Sequence, residues 1–291
     1  MLEFQPMGLA DIPRLRPYLY ASGYRTCDYT VGGMLMWRDY FRMEYAECDG
    51  VLYTRLSDEG GRVYYNLPLG AKLTMTLPRL FEVQGAGDLR FCTLPEEGVA
   101  ALRAAGLTLT VHARREFYDY LYSAEALATL PGRPYAGQRN LCRQFVRDNP
   151  VWECRPLEGD ALIDVCAFVA ADSAERADAY GREEALKVRE VVRHFGEYGF
   201  FGMALYTPEG LCGFSVGERV GDTLFVHIER GLRGKKGVYQ MLAREFSALG
   251  LSAGATYINR EEDMGSEGLR TAKLALHPLC LLEKYEVEVT V

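Results

Sequence analysis

The chain has 291 residues, 48% of them hydrophobic and 25% charged, a balance that suits a water-soluble folded protein with apolar surface for one large or two ordinary cores. A net charge of −7 excludes an indiscriminate nucleic-acid binder. No apolar run reaches membrane-spanning length, and the start MLEFQPMGLAD lacks the basic and apolar regions of a signal peptide, so a cytoplasmic location is expected.

In chain order, the pattern predicts a strand over 1–5, helices over 10–21 and 30–39, and strands near 42–47, 51–56 and 62–67. A helix containing Pro78, a strand at 89–93, a helix at 96–105 and strands at 107–112 and 117–122 follow. Residues 124–149 read as a helical connector. A strand at 151–156 opens the second half, where Leu162, Val165, Cys166 and Val169 recur at helical spacing. A polar helix at 182–196 and strands at 200–206, 211–218 and 223–229 come next. A helix over 236–249 is expected to bury Val238, Met241, Leu242, Phe246 and Leu249, with Gly250 as its C-cap. A strand at 255–258, a helix at about 266–276 burying Leu269, Ala272 and Leu276, and a strand at about 281–290 close the chain. LEFQPMGLADIPRL and WECRPLEGDALIDV place Pro6 and Pro156 alike, a loose internal repeat. The second half has the element order of the GNAT acyltransferase fold and the first half is a fainter copy. The expected architecture is therefore α+β: two tandem GNAT-like domains, each a mixed, mostly antiparallel sheet flanked by helices. The expected boundaries are 1–123, a connector over 124–150, and 151–291 carrying the site.

Eight dispersed cysteines form no CxxC pair and four histidines form no ligand spacing, so no metal site is expected. Alternation over 223–229 puts Thr223, Phe225, His227 and Glu229 on one strand face. A carboxylate beside an imidazole can fix its tautomer or accept a proton from an attacking amine, which makes Glu229 and His227 the acid/base candidates. A hydrogen-bonded couple bracing the sheet is the plainer alternative. Directly after, Arg230, Arg233, Lys235 and Lys236 interleave with Gly231, Gly234 and Gly237 before a helix start. Arg233, Gly234, Lys235, Lys236 and Gly237 thus form a candidate phosphate cradle, or else a flexible basic loop. Tyr239 stands where a small residue would let a diphosphate approach. In the connector, Arg139, Arg143 and Arg147 recur every four residues, a basic stripe suited to the phosphates of a nucleotide, a tRNA backbone or a lipid headgroup, or a solvated face. Asn259 and Arg260 fall at a strand's C-terminal end, where open α/β sheets place ligands, and Arg270 and Lys273 line one helical face.

The runs YDYLYSAEALATLPGRPYAGQRNLCRQF, HIERGLRGKKGVYQ and YINREEDMGSEGLRTAKLALHP resemble a bacterial family related to the C-terminal catalytic domain of phosphatidylglycerol lysyltransferase, over nearly the whole chain. That family is tandem GNAT-like and similar to the Fem-type aminoacyltransferases. The resemblance implies transfer of an aminoacyl group from aminoacyl-tRNA to an amine or hydroxyl acceptor (a small molecule, peptide or lipid headgroup) in the cleft between the halves, with no cofactor required. Glu229, with His227, would orient or deprotonate the acceptor. Arg260, Arg270 and Lys273 would neutralise phosphate or carboxylate, and Tyr239 and Tyr257 would line the pocket; Arg139 and Arg143, from the basic stripe, are candidate donor contacts on their spacing alone. An acyl-CoA donor, and a non-catalytic binding module on the same fold, are the alternatives.

Overall fold

The computed structural model describes residues 2–58, 60–85, 87–174 and 179–290. In chain order the elements are β1 (Gln5–Pro6), α1 (Ile12–Ala21), α2 (Val31–Leu35), β2 (Glu44–Cys48), β3 (Val51–Ser57), β4 (Val63–Tyr65), α3 (Leu73–Gln84), β5 (Leu89–Leu94), α4 (Glu96–Ala104) and β6 (Thr108–Ala113). They continue as β7 (Asp119–Ser123), α5 (Ala124–Thr129), α6 (Ala136–Asp148), β8 (Glu153–Pro156), α7 (Asp160–Ala174), α8 (Ala179–Arg193), α9 (Phe195–Tyr198), β9 (Phe201–Thr207), β10 (Gly210–Val220) and β11 (Thr223–Gly231). Last come α10 (Val238–Ser252), β12 (Tyr257–Asn259), α11 (Glu267–Leu274), β13 (Cys280–Leu282) and β14 (Tyr285–Thr290).

Among the described residues the strands form two seven-stranded sheets, β1-β2-β3-β4-β5-β14-β6 and β13-β7-β12-β11-β10-β9-β8. Each is mixed and mostly antiparallel: β4–β5 is a parallel pair in the first, β11–β12 in the second. The compact units are discontinuous in sequence. One comprises Met1–Tyr120, Glu261–Arg270 and Leu281–Val291, the other Leu121–Arg260 and Thr271–Cys280. This corrects the contiguous blocks 1–123 and 151–291. The closing strand β14 inserts between β5 and β6 of the first sheet, and the connector helices α5 and α6 belong to the second unit. The insertion has a physical reason. Val287 and Val289 are fully buried on β14, and antiparallel pairing with β5 on one side and β6 on the other gives its backbone groups partners in both directions.

The second unit positions the site. Its strands β9, β10 and β11 are buried along most of their length, as expected for a sheet covered on both faces. Helix α10 covers one face with Val238, Met241, Leu242 and Phe246, as its 3.6-residue period requires. Leu249 departs from that expectation and is 39% exposed, and Gly250 is no cap: the helix runs on to Ser252. A Cβ on Gly250 would lie 2.6 Å from a Leu224 methyl, so glycine is there for close helix–strand approach. In α7 the buried positions are Ala161, Val165 and Val169, with Cys166 exposed. Helix α11 is rotated from the predicted face: Lys273 is buried, whereas Leu269 is 41% exposed.

Candidate active site where parallel strands part

Strands β11 and β12 pair in parallel only over Thr223–Tyr257, Leu224–Ile258 and Phe225–Asn259. Beyond that point β11 continues to Gly231 against β10 alone, so a notch opens between the strands at their C-terminal ends. In open sheets this is the place where backbone groups are left unpaired and ligands bind. Glu229 and Arg260 meet there. Arg260 Nη2 donates to Glu229 Oε1 at 2.7 Å, its Nη1 donates to Oε2 at 3.2 Å, and Ser215 Oγ donates to Oε2 at 3.3 Å. Ser215 sits directly opposite Glu229 in the β10–β11 register. The two charged side chains are largely covered, 9% and 13% exposed. Burial disfavours the Arg260 cation, but the Glu229 charge outweighs it and raises the guanidinium above its usual value. Arg260 Nε is buried with no hydrogen-bond partner among the described residues. Lys273 Nζ donates to the Arg260 carbonyl, and Tyr122 OH donates to the Lys273 carbonyl at 2.8 Å, so the turn after β12 is held from below. Lys273 therefore fixes backbone, which is why it faces inward.

The expected His227–Glu229 couple does not form. Between Val216 and Gly217 the β10–β11 register shifts, leaving His227 as the extra residue on β11. Such a bulge breaks the alternation on which the shared face was inferred. His227 Nε2 lies 2.9 Å from Glu218 Oε1, both side chains are 1% exposed, and the ring lies tilted against Phe200 and parallel to Phe225. The imidazole is a buried brace for the bulge, and Glu229 has Arg260 and Ser215 as its partners.

The remaining candidates scatter. In the loop before α10, Arg233 and Lys236 are exposed, while Lys235 donates to Glu209 at 2.7 Å and to Thr207 at 3.3 Å. Gly234 and Gly237 both have left-handed backbone, and a Cβ on Gly237 would fall 2.2 Å from the Leu141 carbonyl oxygen of α6. That glycine serves helix contact. Tyr239 is 45% exposed with its hydroxyl on the Gly231 carbonyl, Tyr257 is half-buried on β12, and Asn259 is fully buried. Arg139 is half-buried and caps the carbonyls of Leu130 and Gly132, and Arg143 is exposed.

Arg270 belongs to the first unit, where it pairs with the fully buried Asp263 at 2.8 Å, alongside Arg115 and the Tyr120 hydroxyl. Burial would raise the Asp263 carboxyl, but the Arg270, Tyr120 and Gly265 donors hold it far below the usual range. A second cluster in that unit was invisible in the sequence. Lys284 Nζ is 2.7 Å from both Asp28 and Asp119 and 3.8 Å from Glu262, and it donates to Cys27 Sγ at 3.3 Å. Cys27, Asp28 and Asp119 offer ligand atoms within 4.8 Å of one another, a grouping suited to a metal, yet the Lys284 ammonium supplies the cation. Burial pushes Glu262 up to about 7, reinforced by Asp119 and opposed by Lys284. Ser215, Glu218 and this cluster come from distant segments, and only strand register could have signalled the first two.

Two mixed sheets flanked by helices, with a parallel β-α-β notch in the second, make a layered α+β fold of the tandem GNAT-like kind. Residues 21–288 match the family model described as phosphatidylglycerol lysyltransferase, C-terminal, and the chain belongs to that family. A conserved protein of unknown function from Bacteroides thetaiotaomicron is similar at 26% identity, with a TM-score of 0.90 and 99% of this chain and 100% of that one covered. L-PGS from Bacillus licheniformis is similar at 14% identity and a TM-score of 0.69, covering 96% and 91%. FemX is similar at 8% identity and a TM-score of 0.62, covering 99% and 97%. No sequence among the curated proteins matches. Among the described residues no helix is long and apolar enough to cross a membrane.

Proposed function

We propose that the protein transfers an aminoacyl group from aminoacyl-tRNA to an amine or hydroxyl acceptor, with no cofactor required. The observation that carries this reading is the Glu229–Arg260 pair in the notch between β11 and β12. Glu229 orients the acceptor and takes its proton as the nucleophile attacks the ester carbonyl. Arg260, with one buried N–H lacking a partner, supplies a donor for the oxygen that becomes negative in the tetrahedral intermediate. The intermediate collapses by expelling the tRNA ribose oxygen, which takes up a proton, and no covalent enzyme species forms. Ser215 and Lys273 hold the pair in place, and Tyr239 and Tyr257 border the acceptor.

The test is transfer of labelled amino acid from a pool of charged tRNAs to a mixed amine and lipid acceptor fraction. Glu229→Gln should lower the rate at least about a hundredfold with unchanged tRNA affinity. Equal rates for the two proteins, or no transfer by either, would overturn the proposal. An acyl-CoA donor would instead show calorimetric CoA binding that is lost when Gly234 is replaced.

A further inference from the structure

On the second unit a groove of about 390 Å³ is lined by Arg139, Arg143, Arg147 and Arg244, over a floor that includes Cys142 and Val146. Three of the arginines come from successive turns of α6, and Arg244 reaches in from α10. Their charge is only partly answered. Arg147 is 3.0 Å from its neighbour Asp148, Arg244 is 2.7 Å from its neighbour Glu245, and Arg139 is spent on the Leu130 and Gly132 carbonyls. Arg143 is exposed and has no acidic partner among the described residues. Four guanidiniums therefore face two carboxylates in a chain whose net charge is −7, so the positive field here is local and concentrated.

The shape of the charge decides what it suits. Arg139, Arg143 and Arg147 step along α6 by about 6 Å per interval, a row rather than a point. That interval is comparable with the step between successive phosphates on a nucleic-acid strand, and guanidinium forks match phosphate oxygens in pairs. A lipid headgroup would present one phosphate beside an acyl surface. Helix α6 carries no exposed large apolar side chain to receive that surface. We propose that this groove docks the phosphodiester backbone of an RNA strand. The inference rests on the donor reading above for the choice of RNA, and it adds Arg147 and Arg244, which the sequence does not bring together.

The test is binding of unacylated tRNA to the full chain by fluorescence anisotropy across about 50–200 mM salt. Three or four single-strand contacts should make the affinity fall with a logarithmic slope of about −2 to −3. Arg143→Ala with Arg147→Ala should weaken binding about tenfold and shrink the slope by about 1 to 1.5, whereas Arg143→Lys with Arg147→Lys should keep the slope. Both arginines are exposed, so the fold should persist, and an unchanged thermal transition will verify it. Unchanged tRNA binding in the alanine variant overturns the proposal. So does binding to phosphatidylglycerol vesicles that is lost in that variant while tRNA binding is not. No turnover is involved, which separates the two readings. A groove that fails here leaves the Glu229→Gln transfer assay standing, and a groove that binds tRNA survives the absence of transfer.

Discussion

Gly237 and Gly234 look equivalent in the sequence, as two glycines of one candidate cradle, and the structure predicts that they are not. Both have positive φ, near +79° and +78°, so an alanine at either pays the left-handed penalty of about 1–2 kcal/mol. At Gly234 nothing lies within 4 Å of a new Cβ, and that penalty is the whole cost. At Gly237 the new methyl would sit 2.2 Å from the Leu141 carbonyl oxygen and 3.0 Å from Phe145 Cβ. Backbone cannot swing aside as a side-chain tip can, so the start of α10 must lift from α6 at a further cost of about 1–3 kcal/mol. Gly237→Ala should then lose about 2–5 kcal/mol in all, a drop of roughly 4–20 °C in Tm, against roughly 2–8 °C for Gly234→Ala. Paired calorimetric scans read both. Equal drops would refute the reasoning, and so would a Gly237 variant as stable as the parent but impaired only in binding an anionic donor.

Other consequences can be measured alongside. Glu262 titrates near 7 instead of 4.5, so the folded state holds its proton more tightly than the unfolded chain does. Stability from this group is full below about pH 4.5 and is lost as pH rises through 7; Glu262→Gln should flatten that fall and gain about 1–2 kcal/mol at pH 8 in denaturant melts. Asp263 is held low and works in the opposite sense, its contribution vanishing only in strong acid. Asp263→Asn should cost about 2–4 kcal/mol at neutral pH, and Arg270→Ala should lower Tm without raising KM for any acceptor. His227→Leu removes the imidazole from the buried Glu218 and should cost about 3–5 kcal/mol, most of it restored when Glu218→Leu is added, as a double-mutant cycle will show.

Local periodicity was enough to read most of the elements. The order of strands and helices, the apolar side of α10 and the end of β12 at Asn259 and Arg260 all follow from spacing, because each depends on neighbours within a few residues. Long-range pairing did not follow. Nothing in the YEVEVT alternation says that β14 enters the first sheet, since a strand's pattern encodes which side is buried and not which sheet receives it. The same limit hid the Lys284 cluster, whose members lie at 27–28, 119, 262 and 284. In the candidate site, Glu229 and Arg260 were legible as residues and their partnership was not. His227 was misplaced because one inserted residue shifts a period of two. In the sequence Lys273 and Arg270 read as charges on one helical face that would meet a ligand's phosphate or carboxylate, whereas here a backbone carbonyl and a buried carboxylate hold them.

The position of β14 bears on how the molecule comes to exist at all. Ribosomes make β5 and β6 well before β14, yet the ladder between those two strands requires it. Until residues 285–290 emerge, two bare edges with apolar side chains such as Phe91 wait unzipped, open to strands from neighbouring nascent chains. The first sheet thus closes only after its most distant strand has been made, a pairing of large sequence separation that slows its completion.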